Sequence, residues 1–249
     1  MNAHTIRAAV LTLAMMLATA SVAAAEIRFI CSNALKAVMQ ELAPRFEKAS
    51  AHKLTITYGS THPLKARIVK GKAFDLTILG EAAIDDLVKQ GKLVAATRIV
   101  VARSALGVAM RKGIAKPDIS STDAFKRTLL NAKSIAYLPD GLTGTYLKVL
   151  FQRLGIAESM QLKYKNARGA EAVASGEAEI GVTQISEILY QTETQLMGPL
   201  PPEIQNYTNF PAAISSGAQH ADGAKALLNF LASPEAARVL KASGLEPPG

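Results

Sequence analysis

Short apolar runs alternate with helix-spaced patterns along most of this chain, and that alternation restricts its fold more than any other feature. Ile27 to Cys31 is an apolar run of strand length. Leu35, Val38, Met39, Leu42 and Phe46 then recur at helical spacing over Ala34 to Lys48, with Pro44 inside the pattern, where it should kink the helix. Leu54 to Tyr58 reads as a strand. The next helix has Pro63 in its first turn and Gly71 just past its end. Leu76 to Leu79 is a strand and Glu81 to Gln90 a helix stopped at Gly91; Val94 to Val101 and Leu106 to Met110 read as two separate strands. The second half repeats the alternation with helices over Ser120 to Ala132, Thr143 to Leu154 and Gly169 to Ser175, and strands at Ser134 to Tyr137 and Ile180 to Val182. Two helices close the chain, one over about Ala221 to Ala232 and one with Ser233 as N-cap and Pro234 at its first position. Such an order implies an α/β fold whose largely parallel sheets carry helices on both faces. Crossings of the chain are expected near Arg103 to Gly107 and around Gly198-Pro199-Leu200-Pro201-Pro202.

With 49% hydrophobic residues, the 249-residue chain has enough apolar side chain for a sizeable core. One cysteine excludes an intrachain disulfide and a zinc site built from several thiolates. Cys31 lies in an apolar strand and reads as a buried, inert thiol. The first 25 residues read as a secretory signal: Arg7, the apolar stretch Ala8 to Ala18, and Val22-Ala23-Ala24-Ala25 as the cleavage site before Glu26. That run is shorter than the roughly 20 residues that span a bilayer, so the expectation is a cleaved, periplasmic protein. Loss of Arg7 with the leader lowers the formal net charge from +8 to +7, still an excess that favours anionic partners.

Enzyme motifs are missing from the sequence: there is no G-x-S-x-G, Walker loop, G-x-G-x-x-G after the first strand, or H-E-x-x-H. His52, His62 and His220 are far apart, so no metal site or cofactor is implied; His52 and His220 read as surface residues. The densest basic cluster, Lys65, Arg67, Lys70 and Lys72, lacks interleaved aromatics and reads as a solvated helix face, so nucleic acid is excluded as a partner. The informative feature recurs where strands pass into helices. Ser32-Asn33, Ser60-Thr61-His62, Asp140 to Tyr146 and Thr183-Gln184 place small hydroxyl or amide side chains at helix starts. There the backbone N–H groups and the positive end of the helix dipole bind anions without a charged side chain. In open α/β sheets ligands gather at these strand ends.

In this order, the segments Ser32-Asn33-Ala34-Leu35, Tyr58-Gly59-Ser60-Thr61, Lys70 to Leu76, Thr143-Gly144-Thr145-Tyr146, Gly176 to Val182 and Phe230 to Ala236 resemble the periplasmic molybdate-binding proteins and the wider superfamily of type II solute-binding proteins. The resemblance covers nearly all of the chain after the leader. It implies a two-lobe periplasmic-binding-protein-like type II fold, mixed sheets flanked by helices, with two crossing strands as hinge. Its expected limits are 1–25 for the signal, 26–103 and 205–249 for the first lobe, and 104–204 for the second. It also implies a monomer that captures a small anion, a molybdate-like oxyanion or a small carboxylate, between its lobes and delivers it to a membrane ABC permease. Together with the junctions, it points to Ser32, Asn33, Ser60, Thr61, Thr143, Gly144, Thr145, Asn166 and Gln184 as ligand-binding positions; the molybdate binders place tyrosine where Gln184 stands. The stretch from Ala115 through Thr143-Gly144-Thr145-Tyr146 to Glu187 is similar to the aconitate isomerase branch as well. That branch implies an allylic proton shift on a tricarboxylate, for which His62 and Tyr146 are the candidate bases.

Overall fold

The computed structural model describes residues 24–247. All but the last two residues of the expected leader lie outside them. In the first half β1 (Glu26–Ser32) passes through a 3-10 turn (Asn33–Leu35) into α1 (Lys36–Ser50), followed by β2 (Lys53–Gly59), α2 (Thr61–Val69), β3 (Leu76–Ile78) and α3 (Glu81–Lys89). A long strand, β4 (Ile99–Arg111), leads to α4 (Thr122–Asn131), β5 (Ile135–Tyr137), α5 (Leu142–Arg153), α6 (Ala157–Lys163), β6 (Tyr164–Asn166), α7 (Gly169–Ser175), β7 (Ile180–Gln184) and α8 (Ile185–Tyr190). The chain ends with β8 (Thr194–Pro199), β9 (Tyr207–Ile214), α9 (Ala221–Leu231) and α10 (Pro234–Ala242).

The strands lie in the order β2-β1-β3-β9-β4-β7-β5-β6, with β8 also paired to β4. β1 runs parallel to β2 and β3, and β5 parallel to β6 and β7, the pairing that helical crossovers between strands allow. β4 changes partners along its length. Ile99 to Ala105 pair antiparallel with β9, whereas Leu106 to Met110 pair with β7 and Gly107 to Arg111 with β8. The change falls at Ala105–Leu106 on β4 and at Tyr207 on β9.

Two large cores flank this change. Phe29, Leu35, Leu42 and Phe46 pack with Leu227, Leu231 and Leu240 from the last two helices, so the end of the chain returns to its beginning. Leu106, Phe125, Leu147, Phe151 and Val182 form the other large core. Leu142, at the start of α5, packs against the first core, and a Cβ built on Gly80 would stand 2.6 Å from its Cδ1.

Several elements depart from the sequence reading. The two strands expected over Val94 to Val101 and Leu106 to Met110 are one 13-residue strand preceded by a 3-10 turn (Ala95–Thr97). The polar Arg103-Ser104 pair interrupts the apolar pattern but not the ladder. β9 escaped the sequence reading because Pro211 lies inside it. Proline supplies no ladder N–H, and the structure accepts it opposite Val100, where the β4–β9 register shifts. α1 runs on through Pro44, inside the helical pattern as the sequence reading placed it. That residue is on the exposed face, where the Gln40 carbonyl it leaves unbonded can meet water, while Val38, Met39, Leu42 and Phe46 hold the other face to the core. α1 ends at Ala51, whose φ of 59° is left-handed. His52 is not a surface residue: it is 3% exposed, accepts from the Ala25 N–H through Nδ1 and stacks on Phe46. Cys31 is fully buried, which pushes its thiol pKa up.

Candidate functional site

Five helical segments begin around one cavity of about 60 Å³ between the two large cores. Each follows directly from a strand or a short loop. β1 ends at Ser32, β2 at Gly59 before Ser60, β7 at Gln184, and the loops after β5 and β6 deliver Gly141 and Arg168. A strand that ends and turns into a helix leaves the first helical N–H groups pointing back along the strand axis. With strand ends gathered on one edge, those groups converge.

Six of the nine expected ligand positions line the cavity: Ser32, Asn33, Ser60, Thr61, Thr143 and Gln184. The Ser60 hydroxyl makes no capping bond although Ser60 is the N-cap of α2, so it is free toward the cavity. Ser32 is 5% exposed and accepts from Ala34 N–H at 3.4 Å. The Thr61 hydroxyl oxygen accepts from Gly80 N–H at 3.2 Å, fixing the turn into α3. No side chain caps α5 at Gly141, and Thr143 stands in its first turn. Ser60 and Thr61 come from the half with the first core, Thr143 from the half with the second.

Three expected positions do not reach the cavity. Gly144 is buried one residue beyond Thr143, and a Cβ there would lie 2.1 Å from the Leu138 carbonyl oxygen. Its place in the sequence serves close packing of α5 on the preceding loop. Thr145 is exposed and its hydroxyl donates back to Gly141 O at 3.0 Å. Asn166 is exposed at the end of β6. Neither candidate base lines the cavity. Tyr146 donates to Ile204 O at 2.6 Å and packs against the second core, where burial raises its pKa. His62 is exposed, with Nδ1 2.5 Å from Asp140 O. A carbonyl only accepts, so that nitrogen carries the proton, and the bond ties α2 to the loop before α5.

The cavity also holds Thr183, from the junction read in the sequence, and two residues given no role there, Arg168 and Glu187. Arg168 is the N-cap of α7 and pairs with Glu171 at 2.7 Å. α7 can approach β7 because Gly169 faces Gly181; a Cβ on Gly181 would lie 2.1 Å from the Gly169 carbonyl oxygen. Thr183 donates its hydroxyl to Glu187 Oε2. Burial raises the Glu187 pKa, with a smaller push from Glu171, against the opposing effects of Thr183, Arg168 and the Gln184 backbone. A Thr-x-x-x-Glu spacing across a strand-to-helix junction was the one local signal available, and it is too common to have marked these residues. Gln184 is 5% exposed; its Nε2 lies 3.2 Å from Thr208 Oγ1, and its Oε1 has no partner among the described residues. Turning the amide over lets Thr208 donate to Oε1 and gives the cavity an N–H₂ donor, as an anion requires. The cavity thus gathers hydroxyls, an amide and a guanidinium at helix starts, with the Glu187 carboxylate beside them; helix-start N–H groups and guanidinium are the donors that anions accept from.

A second cavity of about 30 Å³ adjoins the first and shares Asn33, Arg168, Gly169 and Glu187 with it. It adds Lys36, whose ammonium sits 5.2 Å from the Tyr190 ring centre. Among the described residues no group of three or more His, Cys, Asp or Glu side chains is placed to hold a metal ion. No described helix is long and apolar enough to cross a membrane.

A cavity at the strand ends, where the chain crosses twice between two α/β halves, is the arrangement of the two-lobe type II binding-protein fold. Over residues 27–246 the chain belongs to the family described as bacterial extracellular solute-binding protein. It is 34% identical over 247 residues to an aconitate isomerase from Pseudomonas sp., covering 94% of each. It is 26% identical over 234 residues to the molybdate-binding protein ModA of Azotobacter vinelandii, covering 89% of this chain and 90% of that one. The solved periplasmic molybdate-binding protein of Azotobacter vinelandii has the same fold, with a TM-score of 0.74 at 22% identity over 90% of this chain and 100% of that one.

Proposed function

We propose that this protein captures a small organic polycarboxylate in the cleft between residues 26–103 with 205–249 on one side and 104–204 on the other. The observation that carries this reading is the pair of adjoining cavities. A tetrahedral oxyanion presents its charge within one compact group. Here the helix starts and Gln184 gather around one space, and Lys36 stands beside the next, with Arg168 on both. That spacing suits an anion whose carboxylates are separated by carbon atoms, since each carboxylate then has its own donors. β4 and β9 serve as the hinge, and the role for which such capture suits an exported protein is delivery to a membrane ABC permease. Export itself rests on the leader read from residues 1–25.

A melting-temperature screen tests the ligand class. A ligand that binds only the folded state at a hundred times its Kd stabilises it by about 2.7 kcal/mol. Citrate and cis-aconitate should raise the melting temperature, whereas molybdate, tungstate, sulfate and phosphate should leave it in place. The reverse result would overturn the polycarboxylate reading.

A second reading is that the bound tricarboxylate is also isomerised. Glu187 favours it: capture of an anion gains nothing from a carboxyl group in the cavity, whereas an allylic proton shift needs one group that takes and returns a proton. The 34% identical Pseudomonas relative, named for that activity, supports the same reading. Incubation with cis-aconitate, followed by chromatography for the trans isomer, tests it directly.

A further inference from the structure

We propose that Glu187 is the proton-transfer group of the cleft, acting on a tricarboxylate held across the two adjoining cavities. This rests on the isomerase reading. Glu187 lines both cavities, so its carboxyl stands where the middle of a ligand spanning them would lie. It is the one carboxylate in the lining of the first cavity, and the two bases suggested by sequence lie elsewhere. Its setting suits the task. The Thr183 hydroxyl donates to Oε2, which fixes the carboxyl plane, and its other oxygen, Oε1, has no side-chain partner among the hydrogen bonds of the described residues. The charged and titratable groups around it are Arg168 and Glu171 at the start of α7, Lys36 on α1 and Tyr190 on its own helix. Burial raises its pKa, moving it toward the range where a carboxyl both accepts and returns a proton at neutral pH.

The chemistry balances without any co-reactant. The Glu187 carboxylate removes one proton from the methylene carbon of cis-aconitate. The C–H electron pair forms a new C=C bond to the central carbon, and the old C=C pair moves to the far carbon. The proton then returns from Glu187 to that far carbon. One C–H bond breaks, one forms, and nothing is oxidised or reduced. Arg168 and Lys36 face the carboxylates that take up charge between the two transfers.

Glu187 also occupies the third position of α8, where a glutamate serves as an ordinary cap of its own helix, so the test separates the two roles. Wild type, Glu187→Gln and Thr183→Val are each incubated with cis-aconitate in D₂O. Trans-aconitate formation, deuterium uptake and binding of cis-aconitate by calorimetry are measured. Glu187→Gln keeps an acceptor for Thr183. It should bind cis-aconitate within about threefold of wild type while losing isomerisation and exchange by roughly a hundredfold or more, the scale of acid–base catalysis. Thr183→Val removes a hydrogen bond that favours the ionised carboxyl, so the acid limb of the pH–rate profile should move to higher pH. A helix cap alone predicts neither that displacement nor loss of turnover with retained binding. Wild-type turnover matched by Glu187→Gln overturns the role of Glu187 and leaves the isomerase reading standing. Wild type that binds cis-aconitate without isomerising it or exchanging deuterium overturns both.

Discussion

The Ser60 hydroxyl stands at the cavity with no capping duty, which makes it a clean residue to remove. A hydrogen bond to a charged group contributes about 1.5–3 kcal/mol, and about 1.4 kcal/mol is tenfold in affinity. Calorimetric titration should therefore show Ser60→Ala binding its polycarboxylate about ten- to a hundredfold more weakly, with the melting temperature of the free protein unchanged. Ser216→Ala, exposed and away from the cavity, is the control. Equal affinities would make Ser60 an ordinary surface residue of the turn. Asp75 is the opposite case, a charge spent on the fold. Its side chain is fully buried and receives the Arg28 backbone N–H and the Arg28 Nε and Nη2 donors at 2.8–3.1 Å, plus Gln219 N–H at 2.8 Å and His220 N–H at 3.2 Å. It thereby ties β1, β3 and the start of α9 together. Burial opposes its ionisation, but these donors outweigh burial and hold its pKa down to about 2. Because the pKa is depressed in the folded state, the stabilisation is complete above the ordinary aspartate value of about 3.9 and disappears as pH falls through about 2. Asp75→Asn should cost about 3–5 kcal/mol in urea unfolding at pH 7. The gap to wild type should hold down to about pH 4 and narrow below it; a gap constant down to pH 2 would show that the charge contributes nothing.

Helix α5 shows how an element is aimed by what it lacks. Its start lines the cavity through Gly141, Leu142 and Thr143, and it sits there because Gly144 lets it press on the Leu138–Pro139 backbone. A Cβ at 144 would meet Leu138 O at 2.1 Å and Pro139 Cα at 2.6 Å. These are backbone atoms, so the loop or the whole helix start must move. Gly144→Ala should cost about 1–3 kcal/mol of stability and weaken ligand binding as well. Val149→Ala, on the exposed face of the same helix, should change neither. An unchanged Kd for Gly144→Ala would show that the helix start is not part of the binding surface. The long β4 and the proline-containing β9 are two elements that sequence patterning misjudged; it also left out α6, α8 and β8. In β4 and β9, pairing with the neighbouring strand overrode the local signal: Arg103-Ser104 stays in strand because β9 pairs with it, and Pro211 is accepted where the register shifts.

Across the whole molecule, the two halves meet through the crossing strands, through α8 packed beside α1, where Lys36 lies over Tyr190, and through contacts on the α2–α5 side of the cavity. The bond from His62 Nδ1–H to Asp140 O joins α2 to the loop before α5, and Leu142 rests on the opposite core. A neutral hydrogen bond contributes about 0.5–1.5 kcal/mol, so His62→Ala should weaken ligand binding about two- to tenfold, with secondary structure by circular dichroism unchanged. Undiminished affinity would show that closure does not use this bond. The strand–helix alternation, the boundaries of the longer helices and the hydroxyl-rich junctions at Ser32, Ser60, Thr61 and Thr143 were legible in the sequence, because apolar periodicity and helix-start chemistry are local properties. Arg168 and Glu187 were not, since nothing near them in sequence says that α7 and α8 begin beside α1, α2 and α5. Gly144 and Thr145 sit in the right motif yet face away, and Tyr146 turns into the core, because the rotation of α5 is set by the Leu138–Pro139 contact. Local chemistry determined that helix starts would be rich in anion donors; the pairing of β4 with both halves, a long-range choice, decided which of them meet around one ligand.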